Sequence, residues 1–130
     1  KFREIFRPFA PSVLEEDAKE WFEMKKIDQP AHYMLATYKT RPSKIKLIPA
    51  VIHVDNTARV QLVSNRTSPK YYKLIKEFKK LTGIPMILNT SFNIQEPIVC
   101  TPQDAINTYK KSQIDYLVIG NYIISRNDNK

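Results

Sequence analysis

Residues 85–106 read PMILNTSFNIQEPIVCTPQDAI, an apolar strand-like run that empties into a loop of small polar side chains. Asn89, Thr90, Ser91 and Asn93 stand at the carboxyl end of that run, where open α/β sheets bind their ligands. Two amides and two hydroxyls supply donors and acceptors without charge, which suits recognition of a small neutral polar group. A loop that only reverses the chain usually contains glycine, and the two glycines of this sequence, Gly83 and Gly120, both lie outside it. The same side chains could serve only to satisfy turn backbone, and the loop by itself leaves both readings open.

Charge supplies the second chemistry. The formal net charge is +8 and the pI about 9.6, so the partner is expected to be anionic: a phosphorylated small molecule, nucleic acid or an anionic surface. Most lysines fall on helix faces, as Lys70, Lys73, Lys76, Lys79 and Lys80 do, and read as solvated surface. Arginines gather in or beside the polar segments at Arg3, Arg7, Arg41, Arg59 and Arg66, and a guanidinium fork suits bidentate phosphate recognition. Lys39 sits close to Arg41 in a basic loop that a solvated turn would explain equally well. For His53, a structural hydrogen bond is as good a reading as catalysis. Glu96 could orient a basic group or help hold Mg²⁺, although capping or ion pairing is the commoner fate of a loop carboxylate. Cys100 reads as packed, since nothing near it forms a nucleophile and base pair.

These residues need elements to position them. Ser12 followed by Glu15 predicts a capping box for a helix from Val13 to Met24, burying Leu14, Ala18, Trp21 and Phe22. His32 to Tyr38 reads as a strand, and Lys39 to Lys46 as a basic loop. The run IPAVIHVDNTARVQLV predicts a hairpin turning at Asp55 to Ala58, with Ile52, Val54, Val60 and Leu62 inward and His53, Arg59 and Gln61 on a polar face. Ser68 and Pro69 open a helix with Tyr72, Ile75, Phe78 and Leu81 at helical spacing, stopped by Gly83 and Pro85. Met86 to Leu88 is expected as a central strand. Thr101 caps a helix begun by Pro102 and Asp104, and Tyr116 to Ile119 with Tyr122 to Ser125 form a Gly-Asn hairpin.

Composition excludes several classes. At 130 residues the chain suits one compact domain, and no apolar run approaches the length needed to cross a bilayer. One cysteine forbids an internal disulfide, and two histidines leave no zinc-type cluster. The compartment expected by default is the cytoplasm. The opening KFREIFRPFAP carries no signal-peptide pattern and reads as the interior of a structured segment, hence as a domain excised from a longer protein.

Three segments, FRPFAPSVL (Phe6 to Leu14), IPAVIHVDNTARVQLV (Ile48 to Val63) and LNTSFNIQEPIVCTPQDAI (Leu88 to Ile106), resemble in order and spacing the carboxyl-terminal domain of the O-carbamoyltransferases of nodulation-factor, cephamycin and tobramycin biosynthesis. The resemblance implies an α/β (α+β) fold, a YrdC-like twisted open mixed β-sheet with flanking helices, as a single domain over residues 1–130. It also implies a larger protein whose N-terminal actin-like ATPase-fold domain transfers the carbamoyl group to a hydroxyl acceptor. The YrdC-like part would bind carbamoyl phosphate and ATP, with Mg²⁺ accompanying the nucleotide, and form carbamoyl adenylate. Ser91 and Asn93 resemble the SxN signature of YrdC proteins. On this reading Arg59 and Ser91 are the catalytic candidates, and the ligand-binding set is Arg7, Lys39, Arg41, His53, Arg59, Asn89, Thr90, Ser91, Asn93 and Glu96. The partners are small-molecule phosphates and the N-terminal domain, not a membrane. A basic YrdC-like module binding RNA and a non-catalytic interaction domain are the competing readings. RNA explains only the charge, since no RNP, KH or helix-turn-helix pattern is present.

Overall fold

The computed structural model describes residues 8–126, which form two compact units whose described parts are residues 8–90 and 91–126. In the first, strand β1 (Ala10–Leu14) lies between β4 (Gln61–Val63) and β5 (Met86–Asn89) in a mixed sheet of order β4-β1-β5. β1 runs parallel to β4, pairing Ser12 with Gln61, and antiparallel to β5, pairing Ala10 with Asn89. All five β1 residues are buried, so the strand is the sheet's centre and β5 is an edge, contrary to the sequence expectation.

The period of two sorts these strands into two faces. Val13, Leu62 and Met86 meet a core that includes Trp21, Phe22, Val51 and Val60. Leu14, Val63 and Ile87 pack with Tyr71, Tyr72 and Ile75 of helix α3 (Pro69–Thr82). α3 ends as predicted at Gly83, whose φ of 76° is the left-handed C-cap. Its apolar stripe is buried only in part: Ile75 is fully covered, whereas Leu81 is 87% exposed.

The amino-terminal half corrects the local readings. The helix expected from Val13 to Met24 is a strand, a 3-10 turn at Glu15–Asp17 and one short helix, α1 (Ala18–Trp21). Ser12 does not cap; its hydroxyl donates to Gln61 Oε1 at 2.6 Å, and pairing on both sides outweighs the capping pattern. Leu14, Ala18, Trp21 and Phe22 are nonetheless all buried. The strand expected at His32 to Tyr38 shrinks to β2 (Tyr38–Lys39), because Pro30 starts a short helix, α2 (Gln29–His32). Pro42 and Pro49 likewise open 3-10 segments at Pro42–Leu47 and Pro49–Val51. The expected hairpin is absent: β3 (Thr57–Ala58) pairs with β2, and β4 leaves to join β1. Val60 and Leu62 are buried as expected, but Val54 is 92% exposed in the turn that replaces the first hairpin strand.

The second unit follows its sequence closely. Helix α4 (Pro102–Lys111) has a complete capping box: Thr101 Oγ1 accepts from the Asp104 amide at 3.1 Å, and Asp104 accepts from the Thr101 amide at 2.9 Å. β6 (Tyr116–Ile119) and β7 (Tyr122–Ser125) form the hairpin, turning at Gly120 with φ 59°. Ala105, Tyr109 and Leu117 are its small core, with Phe92, Ile106, Ile119 and Ile124 around them. No helix among the described residues is long and apolar enough to cross a membrane.

Candidate functional site

Asn89 closes β5 and turns its side chain along the sheet, where Nδ2 donates to Gln61 Oε1 at 2.6 Å. Gln61 Oε1 also receives the Ser12 hydroxyl, so one amide oxygen gathers donors from both other strands. Ser12 is fully buried, and Gln61 is half-buried and lines a cavity of about 270 Å³ together with His32, Arg66, Ser68 and Tyr71. The period-two pattern marks Gln61 as polar-facing; its junction role and that of Ser12 come only from the register of β1. Thr90 is exposed.

The cationic candidates have unequal commitments. Arg41 is exposed, yet its Nε donates to the Lys19 carbonyl and its amide to the Trp21 carbonyl, both at 2.9 Å, so it secures the end of α1. Lys39 and His53 bracket Thr57: Lys39 is its strand partner, and the His53 amide donates to the Thr57 carbonyl at 2.8 Å. Asp55 holds the same turn by accepting the Thr57 hydroxyl and amide, which lowers its carboxyl pKa. Arg59 lies between buried Ala58 and Val60 and is itself exposed, with no hydrogen bond or ion pair among the described residues. Arg7 lies outside the described residues.

In the second unit Ser91, Asn93 and Glu96 are brought together. The Ser91 hydroxyl donates to Asn93 Oδ1 at 2.9 Å, and Asn93 Nδ2 donates to the Glu96 carbonyl at 2.7 Å. Glu96 Oε1 accepts the Thr108 hydroxyl at 2.6 Å, and Oε2 accepts the Gln95 amide at 3.0 Å. The Thr108 bond, then the backbone amides of residues 94–96, hold the Glu96 carboxyl down to about 2, so it is ionised at neutral pH. Thr108, 3% exposed on α4, is the one member that nothing in the sequence singles out. Glu96 thus ties the loop to α4 through Oε1 and to its own backbone through Oε2, and no cluster of three His, Cys, Asp or Glu able to hold a metal occurs among the described residues. Cys100 is exposed, not packed as expected, and lines a cavity of about 360 Å³ with Glu96, Asp104, Thr108 and Lys111.

Residues 1–126 match the family described as the carbamoyltransferase C-terminus. The chain is 48% identical to nodulation protein NolNO of Sinorhizobium fredii, over 97% of this chain and 19% of that protein. It is 45% identical to nodulation protein NolO of Bradyrhizobium diazoefficiens, over 97% of this chain and 23% of that protein. An uncharacterized protein of Synechocystis is 42% identical, over 97% of this chain and 23% of its own length. The chain therefore spans about a fifth of the length of these relatives.

Proposed function

The chain belongs to the carbamoyltransferase C-terminus family, and from that premise we propose that it binds carbamoyl phosphate and ATP and forms carbamoyl adenylate for a hydroxyl acceptor. Water releases inorganic phosphate from carbamoyl phosphate. The carbamate oxygen then bonds to the α-phosphorus of ATP as the bond to pyrophosphate breaks. Transfer from the adenylate belongs to an N-terminal actin-like domain of the same polypeptide, and the whole reaction is a cytoplasmic one, with Mg²⁺ arriving on the nucleotide.

The observation that carries this reading is the Ser91–Asn93 pair, an uncharged hydroxyl and amide held in order by the Glu96 backbone carbonyl of the same loop. A carbamoyl head is small and neutral and has both donors and acceptors, which is the inventory such a loop reads. Phosphate oxygens, and the charge that develops on the α-phosphate, require cations instead. Arg59, exposed and uncommitted among the described residues, is the first candidate, and Arg41 contributes through what remains of its guanidinium after Nε is used. The lack of a glycine-rich phosphate loop leaves these contacts to side chains.

Calorimetric titration of the chain with ATP and carbamoyl phosphate, followed by detection of carbamoyl adenylate in the intact protein, tests the reading. Saturable binding of both ligands and adenylate formation are expected. Absence of both binding and adenylate in the intact protein would overturn it.

A further inference from the structure

β5 has the sequence of an interior strand and the position of an edge. Its register against β1 pairs Ser12 with Ile87 and Pro11 with Leu88, and the Leu14 amide donates to the Pro85 carbonyl at 3.0 Å. In an antiparallel pair, directly opposed residues alternate between exchanging hydrogen bonds and turning theirs away. Residues 85, 87 and 89 therefore face β1, whereas the amides and carbonyls of Met86 and Leu88 point to the open side of the sheet and meet no partner among the described residues. Pro11, which has no N–H, stands opposite Leu88 in a pair that needs none. Met86 is buried all the same, and a buried amide and carbonyl left unpaired are rare in a folded protein.

An open edge is ordinarily blunted by lysine, proline or a covering element. The Met86-Ile87-Leu88 run has neither charge nor proline, and it borders an apolar groove of about 410 Å³ lined by Leu47, Ile48, Val51 and Phe78 as well as by the strand itself. No charged residue lines this groove, and Leu47 and Leu88 are each more than half exposed.

We propose that the β5 edge and the groove beside it receive an extended segment of the same polypeptide from outside residues 1–130, added as a fourth strand of the sheet. Main-chain hydrogen bonds to Met86 and Leu88 hold the segment, and apolar side chains at every second position enter the groove. Length and charge select this occupant. About four-fifths of NolNO and of NolO lies outside the region matched, and a polypeptide of that length keeps further segments tethered near the edge at high effective concentration. A second copy of this chain is disfavoured, because each copy carries a net charge of +8 and the groove has no acidic group to offset the repulsion. With the strand added, β5 becomes the interior strand that its apolar run predicts, and Asn89, which bonds Gln61, ends a strand flanked on both sides. Such a strand requires the longer polypeptide of the proposed function but not its ligand, so failure to bind carbamoyl phosphate leaves it standing.

Site-resolved hydrogen exchange on the intact protein reads the Leu88 amide against that of Ile87, which already faces β1. Both are expected to exchange slowly. Leu47→Asp, which places a charge in the groove at an exposed position, is expected to speed Leu88 at least about tenfold, the order of one hydrogen bond lost, with Ile87 unchanged. A fast Leu88 amide in the unaltered protein, or one that Leu47→Asp leaves slow, would overturn the proposal. A photoreactive benzoylphenylalanine in place of Leu88 identifies the occupant, and decides alone if Leu47→Asp does not fold. A cross-link within one polypeptide to a segment outside residues 1–130 supports the added strand. A cross-link to a second copy, to another protein or to residues 1–130, or none at all, defeats it.

Discussion

Arg59 and Ser91, the two residues proposed for catalysis, differ in how their surroundings hold them. In residues 91–126 the polar loop is internally answered: Ser91 gives its proton to Asn93, Asn93 its amide to Glu96, and Thr108 secures Glu96. In residues 8–90 the charged candidates are either spent on structure, as Arg41 is on the Lys19 carbonyl, or exposed and uncommitted, as Arg59 is. The difference follows from solvation. A neutral amide or hydroxyl must have its direction fixed in advance to discriminate between ligands, whereas a guanidinium attracts an anion by its charge before its fork is aligned and loses little by waiting in water. Specificity is thus expected to reside in the loop and affinity in the arginines.

The largest expected effect would break that division on the affinity side. Arg59→Ala should weaken ATP and carbamoyl phosphate binding roughly ten- to a hundredfold, the order of a lost hydrogen bond to a charged group, with thermal stability unchanged. Calorimetry beside a melting curve checks both halves, and equal ligand affinity in a folded variant would remove Arg59 from the site. Helix α4, which carries Thr108, gives the next effect: Thr101→Ala should cost about 1 kcal/mol of stability by deleting half of the capping box. Urea unfolding measures that loss, and no change would mean that the cap does not stabilise α4.

Acidity offers a sharper probe of the loop. The Glu96 carboxyl is depressed from 4.5 to about 2 by Thr108 and the loop amides, so its stabilising contribution is present above the unfolded value of 4.5 and is lost as pH falls from there toward 2. Carbon-detected NMR of the Glu96 carboxyl should titrate near that low value in the unaltered protein and move up toward the ordinary glutamate range in Thr108→Val. A titration that ignores the substitution would dissolve the link between α4 and the loop.

The smallest effect lies in the turn before Arg59. Asn56 has φ 64°, a region that asparagine tolerates and glycine enters freely. Asn56→Gly should therefore change stability by no more than about 0.5 kcal/mol, since relief of strain is offset by a more flexible unfolded chain. A larger change in a thermal melt would show that the Asn56 side chain supports the approach to Arg59.

Legibility divides along the same line as structure. The Thr101 cap, the stop at Gly83 and the turn at Gly120 were readable because each is decided within a few residues. β1 was not, because Ser12 followed by Glu15 satisfies a local capping pattern, whereas the strand pairing that overrides it comes from β4 and β5. The hairpin expected around Asp55 failed for the same reason, since β3 and β4 find partners elsewhere. The site behaved alike: Ser91, Asn93 and Glu96 stand out by type and spacing, but Thr108 looks in sequence like any helix threonine until its hydroxyl is seen on Glu96.

The place of β1 in its sheet also sets an order of events in time. Ser12 cannot meet Gln61 until the chain has grown 49 residues beyond it, and β5 is later still. Closing loops of that length before any pairing is rewarded slows folding, and a parallel pair such as β1 with β4 adds to the delay. During synthesis the apolar strand Ala10–Leu14 must therefore wait without partners on either edge, and it is the segment of residues 8–90 most in need of protection from misassociation before the sheet closes.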